Sequence, residues 1–255
     1  MVNESLLRGT DLDRYTRQII MPLIREEGQL LLKKSSVVIV GAGGLGGPIL
    51  QYLSAAGIGK IGIVDFDEVQ PSNLNRQTLY KPHDHGQNKA ILAASWATSF
   101  NPLISLDPLP VKLDSTNIRT LLEPYPILID ASDNFATRYL LSDYAFESGK
   151  PLFFGAVSGF TGVCTTFIPG ETGCLRCIYP KTPSEQYQSL EKSYGIIGFT
   201  PGVVGSIMAS NVVRYLLQIG NYLKNQLLTI DLNENSFMTI SYQPNPNCIT
   251  PHQPL

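Results

Sequence analysis

The sequence predicts an α/β fold: a doubly wound, mostly parallel sheet with an antiparallel C-terminal extension. Two observations predict the parallel part. Unbroken apolar runs, such as Val37-Val38-Ile39-Val40 and Ile127-Leu128-Ile129, mark strands buried on both faces. Segments of helical pattern separate them, as crossover connections between parallel strands require. The antiparallel part rests on Leu227 to Asp231 and Phe237 to Tyr242, which follow each other too closely for a crossover and look like a hairpin.

The elements follow in order. Residues 1–34 are expected to be helical, and Arg14 and Arg17, three apart, would share one helix face. Val37 to Val40 is the first strand; glycines then turn the chain into a helix from Pro48 to Ala56, which Gly57 ends. Lys60 to Asp65 is a second strand, closing a βαβ unit of about 30 residues. A helix at Asn88 to Thr98, a strand within Ile104 to Val111 and a short helix at Thr116 to Leu122 continue the alternation. Pro126 to Asp130 is a strand, Phe135 to Glu147 a helix and Leu152 to Val157 a strand. Val163 to Ile168 alternates like a more exposed antiparallel piece. Pro180 to Tyr194 is polar and aperiodic and reads as a loop; Val203 to Leu217 is a helix; Gln243 to Leu255 is a Pro/Asn-rich tail. The divisions are N-terminal helices at 1–34, a nucleotide-binding core at 35–168 and a C-terminal extension at 169–255, with no linker that would make a second domain.

Composition narrows the function classes. The 255 residues are 43% hydrophobic and 16% charged, and 19 Lys+Arg against 21 Asp+Glu leave a net charge of -2. That balance makes a general nucleic-acid binder unlikely, since no basic excess is available to neutralise phosphates. The opening residues carry acids and no apolar run, which does not fit a secretory signal. No stretch of about 18 uncharged apolar residues suggests a membrane span. A cytoplasmic protein is expected. The four cysteines, at 164, 174, 177 and 248, are too sparse for a disulfide scaffold, and the C-x-x-C they include reads as metal or redox chemistry.

The chemistry concentrates behind the first strand. Gly41-x-Gly43-x-x-Gly46 lies between strand and helix. The first glycine makes the turn, the second admits a phosphate close to the backbone and the third lets the helix pack, in the Rossmann-like manner; the helix amides then face an anion. Asp65, ending the second strand, can accept hydrogen bonds from ribose hydroxyls. The motif alone fits NAD, FAD or ATP. Asn73, Arg76 and Lys89 decide between them: a polar and cationic cluster at the carboxyl edge of a parallel sheet suits a triphosphate better than a redox cofactor. Asp133 follows the strand that ends at Asp130, and is either an N-cap or a Mg²⁺ ligand.

Taken together, Arg14-Tyr15-Thr16-Arg17-Gln18, GAGGLGG, DFDEV, SNLNRQ, GQNK, ASDN, the C-x-x-C and the Gly195 to Gly205 segment come in one order that resembles the ThiF/MoeB/HesA family, bacterial relatives of ubiquitin-activating enzymes. The resemblance spans residues 11 to 248. It implies an adenylyltransferase that uses ATP and Mg²⁺ to activate the C-terminal carboxylate of a small ubiquitin-like, β-grasp sulfur-carrier protein ending in Gly-Gly, in thiamine or molybdopterin synthesis. It implies that Gly41, Gly43 and Gly46 hold the nucleotide, Asp65 the ribose, Asn73, Arg76 and Lys89 the phosphates and Asp133 the metal. It also implies a homodimer in which Arg17 serves the partner's site.

Two departures from the family pattern matter. Some relatives carry a cysteine shortly before the Gly-rich segment that starts here at Gly195; Leu190 to Tyr194 has none, and Glu191 falls near that position. The expected chemistry therefore stops at the acyl-adenylate, and a separate protein donates sulfur. The family often holds a structural Zn²⁺ between two C-x-x-C pairs. Here Cys174 and Cys177 form the first pair, but Cys248 is followed by Pro251 where the fourth thiolate belongs, and His252 could complete a Cys₃His set. Cys164 reads as a buried structural thiol. Three alternatives stand beside the main reading: activation of a peptide or a tRNA base on the same fold, an NAD-dependent oxidoreductase supported only by the glycine motif, and a catalytically dead dimeric scaffold.

Overall fold

The computed structural model describes residues 7–184 and 194–250. Helices α1 (Gly9–Ile19) and α2 (Arg25–Lys34) lead into strand β1 (Ser36–Val40), helix α3 (Gly46–Ala56) and strand β2 (Lys60–Val64). Then come α4 (Lys89–Phe100), β3 (Ser105–Leu109), α5 (Ile118–Leu122), β4 (Ile127–Asp130), α6 (Phe135–Ser148), β5 (Leu152–Ser158) and β6 (Thr161–Phe167). The chain finishes through α7 (Leu175–Ile178), α8 (Phe199–Leu217), β7 (Gln226–Asp231) and β8 (Ser236–Ser241). The strands form one sheet in the order β3-β2-β1-β4-β5-β6-β7-β8. From β3 to β5 the neighbours are parallel, and from β5 to β8 antiparallel.

Strand β1 shows why an unbroken apolar run was needed. Side chains alternate across a strand. Val37 and Ile39 enter a core with Ile49, Leu53, Ile61 and Ile63 under α3 and α4, while Val38 and Val40 enter the opposite core with Leu128, Tyr139 and Leu141 under α6. A polar residue at any of these places would be buried. The N-terminal helices close one end: Asn101, fully buried, donates to the Tyr15 hydroxyl at 2.8 Å and to the Ser54 carbonyl at 2.7 Å, tying α1 and α3 to the end of α4.

Three expectations need correction. Helix α8 begins at Phe199, four positions ahead of Val203, because Pro201 falls in the first turn, where a missing amide hydrogen costs nothing. Strand β6 is largely buried rather than exposed, because α8 packs along β5 and β6. Asp133 is not the cap of α6: Asn134 is, and its side chain accepts from the Thr137 amide at 2.9 Å. Most of the 180–194 loop, Glu191 included, and both Pro251 and His252 lie outside the described residues.

Candidate functional site

The candidate nucleotide site sits at the carboxyl ends of β1, β2 and β4, where open α/β sheets bind ligands. Gly41 has φ +100°, and a Cβ there would lie 2.5 Å from the Ala131 carbonyl oxygen. Only glycine tolerates both the left-handed backbone and the approach of the β4 loop. Gly46 starts α3 with its backbone against the Gly41 carbonyl, where a Cβ would stand 1.9 Å away. The third glycine therefore closes the turn on itself, more than it seats the helix on the strand. Gly43 differs: a Cβ there would meet only the Gln77 amide, at 3.4 Å. The protein's own atoms leave it room.

Asp65 extends past β2 into this loop. Its carboxylate accepts from the Ala42 amide at 2.7 Å and the Asp67 amide at 2.8 Å, so its orientation is fixed from both sides. Burial pushes its carboxyl above the usual range, while those amides pull the other way. Asn88 caps α4, accepting from the Ile91 amide and donating to the Asp65 carbonyl, and so sets Lys89 at the first turn. Lys89 is 5% exposed, and its Nζ pairs with Asp67 at 3.1 Å. Lys89 and Asn73 line one depression of about 380 Å³ together with Phe66, Asp67, Glu68 and Gln70. Asn73 Oδ1 accepts from the Gln70 amide, which leaves its NH₂ group for a ligand. Arg76 is half-buried and is held by the Ser72 carbonyl at 2.9 Å and Asn75 Oδ1 at 3.0 Å.

Asp133 is exposed beside these loops, and its carboxylate has no hydrogen-bond partner among the described residues. The two N-terminal arginines part ways. Arg14 donates to the Phe100 carbonyl at 2.7 Å and lies 5.2 Å over the Phe100 ring, which fastens α1 to α4. It stays exposed while making these contacts. Arg17 is exposed and makes no hydrogen bond or ion pair among the described residues.

Sequence reasoning missed two residues. Gln77 is buried against Gly43 with its Oε1 unpartnered among the described residues. Arg138, on α6, lines a cavity of about 1080 Å³ that runs from Phe135 and Phe154 across β5, β6 and β7 to Asp231. The SNLNRQ motif pointed at Gln77 by proximity, but a buried cation inside an apolar helix pattern leaves no local signal.

The cysteine cluster forms on the other side of α6. The Sγ atoms of Cys174, Cys177 and Cys248 all lie within 4.8 Å of one another, with Cys174 at 3.9 Å from Cys177 and 3.5 Å from Cys248. Burial first, and the neighbouring thiols after it, push the Cys174 thiol up. The Asn245 amide donates to Cys177 Sγ at 3.2 Å. Arg176, between the paired cysteines, grips Asp143 with two hydrogen bonds at 2.9 and 2.7 Å, and Thr250 donates to the same carboxylate at 3.2 Å. The tail is thus pinned two residues before His252. Cys164 is fully buried in β6, its thiol pushed up to about 12 by burial, as expected of an inert core thiol.

Comparison with known proteins places this geometry. The chain is 46% identical over 243 residues to the sulfur carrier protein adenylyltransferase of Thermus thermophilus, covering 93% of this chain and 90% of that protein. It is 41% identical over 242 residues to the SAMP-activating enzyme E1 of Haloferax volcanii, covering 95% and 89%. The fold matches the crystal structure of Escherichia coli MccB with ATP at a TM-score of 0.81 and 22% identity, over 93% of this chain and 73% of that one. A family model described as the ThiF family matches residues 15–250. The family match and these identities show that the chain belongs to the ThiF family.

Proposed function

We propose that this protein is an ATP-dependent adenylyltransferase that activates the C-terminal glycine carboxylate of a ubiquitin-like sulfur-carrier protein as an acyl-adenylate. The observation that carries this reading is the grouping, at one sheet edge, of an anion-binding glycine turn, a ribose-type acid and a buried lysine. The names of the relatives support the same activity. They leave the oxidoreductase alternative without support. A carboxylate oxygen attacks the α-phosphorus in line, a P–O bond forms, and the bond to pyrophosphate breaks, its electrons leaving with the pyrophosphate. No protein nucleophile is needed, so the absence of cysteine at Glu191 does not disable this step. Two anions must meet while charge builds on the leaving group, so positioning and fixed positive charge do most of the work. Lys89 and Arg76 supply that charge, Asn73 a neutral donor, and Asp65 holds the ribose. Gly41, Gly43 and Gly46 present backbone to the phosphates. Asp133, an exposed carboxylate without a protein partner among the described residues, suits Mg²⁺. That ion supplies charge neutralisation on the triphosphate.

Arg17 belongs to the reading through a homodimer. It is exposed on α1 with no hydrogen bond or ion pair among the described residues, and Ile20, Met21, Leu23 and Leu31 nearby are exposed large apolar residues, a pattern that suits burial against a second copy. No helix among the described residues is long and apolar enough to cross a membrane. A cytoplasmic place, a role in thiamine or molybdopterin synthesis and a separate sulfur donor complete the proposal.

The direct test is ATP–pyrophosphate exchange, with and without each small Gly-Gly carrier of the source genome. Exchange that appears only with one carrier is expected and would identify the pathway. Exchange with none, or a spectral change with NADH instead, would reject the reading.

The cysteine cluster is proposed as a structural Zn²⁺ site of Cys174, Cys177, Cys248 and His252. Zn–S bonds of about 2.3 Å set the edge of a tetrahedron near 3.8 Å. The observed sulfur separations of 3.9 and 3.5 Å lie on either side of that value. Metal analysis of purified protein is expected to give one zinc per chain, and Cys174→Ser to lose it with a clear drop in melting temperature. Full-length protein without zinc at full activity would leave the trio as reduced thiols.

A further inference from the structure

Arg138 is the least explained charge in the molecule. It is 6% exposed, and its Nε has no hydrogen-bond partner. Among the described residues its one hydrogen bond is a long one, 3.4 Å from Nη2 to the Ser132 carbonyl. The rest of its surroundings are aromatic: Phe135 at 5.0 Å and Phe154 at 6.0 Å from Cζ. No carboxylate pairs with it among the described residues. The nearest acid by position, Asp130, is fully buried and spends Oδ1 on the Ser132 amide and hydroxyl. Burial pushes the Asp130 carboxyl up and the nearby Arg138 charge pulls it down, but no hydrogen bond joins the two side chains among the described residues.

A buried guanidinium with no hydrogen-bonded anion is costly, because its lost hydration is not replaced. Its donors are arranged as a planar fork that matches a carboxylate. Arg138 is also the only basic residue among the described residues lining the large cavity. The Ser132 contact ties the guanidinium to the loop that leaves the carboxyl end of β4, one residue before Asp133. The acids of the cavity lie elsewhere. Asp231 pairs in register with Thr161, and Thr161 with Ser158, four residues along β5 from Phe154. A peptide that entered with its carboxylate leading would meet repulsion at Asp231 and a waiting cation at Arg138.

We infer that Arg138 anchors the substrate carboxylate, holding it by its guanidinium at the inner end of the cavity for attack on the nucleotide. This rests on the proposed adenylation of a Gly-Gly carrier and deepens it by naming the group that receives the tail. The role is one of binding and orientation: the cation must hold the carboxylate without quenching it, and release it as the acyl-adenylate forms.

The test compares one carrier in two forms, with its C-terminal glycine as free acid and as carboxamide, in titration calorimetry with the full-length protein. The carrier is the one that supports pyrophosphate exchange. Wild-type protein should prefer the acid by roughly 10-fold or more, as a charge-assisted hydrogen bond allows. Arg138→Gln should bring that preference below about 2-fold while ATP affinity stays near wild type, and Arg138→Lys should keep part of the preference. Equal binding of acid and amide by the wild-type protein would overturn the inference whatever the variants do. So would a folded Arg138→Gln protein that keeps the preference, or one that loses ATP affinity instead, which would assign Arg138 to a phosphate. If no carrier supports exchange at all, the functional reading fails first and this inference falls with it.

Discussion

Lys89→Ala is expected to lower carrier-dependent ATP–pyrophosphate exchange by at least roughly 10²–10³-fold, the scale of removing one preorganised charge from a transition state. The fold should survive. Lys89 stands at the first turn of α4, a position that Asn88 caps on its own, and its ion-pair partner Asp67 is half-exposed and can be rehydrated. Far-UV circular dichroism and the melting temperature should therefore stay close to wild type. The Asp67 pair also gives a lysine 5% exposed a partner that phosphate oxygens of ATP would replace. Asp133→Ala is expected to behave alike, since Asn134 and not Asp133 caps α6. Unchanged exchange in either variant would remove that residue from the mechanism.

The second large effect separates two glycines of one motif. Gly46→Ala puts a methyl 1.9 Å from the Gly41 carbonyl oxygen, and both atoms are backbone-fixed. Relief requires the turn or α3 to move, which should cost about 3 kcal/mol or more. The melting temperature should fall by roughly 6–12 °C for a chain of this size. Gly43→Ala meets only a side-chain amide at 3.4 Å, so its melting temperature should stay within a few degrees. Its ATP affinity should fall at least about 10-fold, because the methyl occupies the side from which phosphate approaches. Equal melting of the two variants would mean that the Gly41–Gly46 contact is not a fixed part of the turn.

What could be read in the sequence was what local chemistry dictates. The Val37 to Val40 run announced a two-sided strand because both faces of the sheet had to be covered, and the βαβ order followed from it. The tight turn at Gly41 was legible because only glycine tolerates its backbone, and the placing of Asp65, Asn73 and Lys89 near it followed from the βαβ order. Asp133 could be read as cap or as metal ligand, since a carboxylate can serve either way, and only the fold gave the cap to its neighbour Asn134. Arg14 is a surface charge, and its tie to Phe100 could not be foreseen because 86 residues separate the two in the chain. Arg138 was invisible because its burial depends on Phe135, from its own helix, and Phe154, from a strand that enters 16 residues later in the chain. The exposure of β6 was misjudged for the same reason, since α8 arrives to cover it only after the loop that precedes Phe199.

The two borders of the sheet differ in a way that bears on its growth. At one border, β3 carries Pro108, which lacks an amide hydrogen, and Pro110 follows the strand, so a further strand finds a broken row of donors. At the other border, β8 contains no proline, and Phe237, Met238 and Ile240 are all exposed. Natural proteins usually blunt such an edge with lysine, proline or a bulge. Here it stays open along Ser236–Ser241, beside the cavity to which Ser236 and Met238 contribute. Among the described residues the sheet therefore offers an unblocked edge on one side only, and that side borders the cavity lined by Arg138.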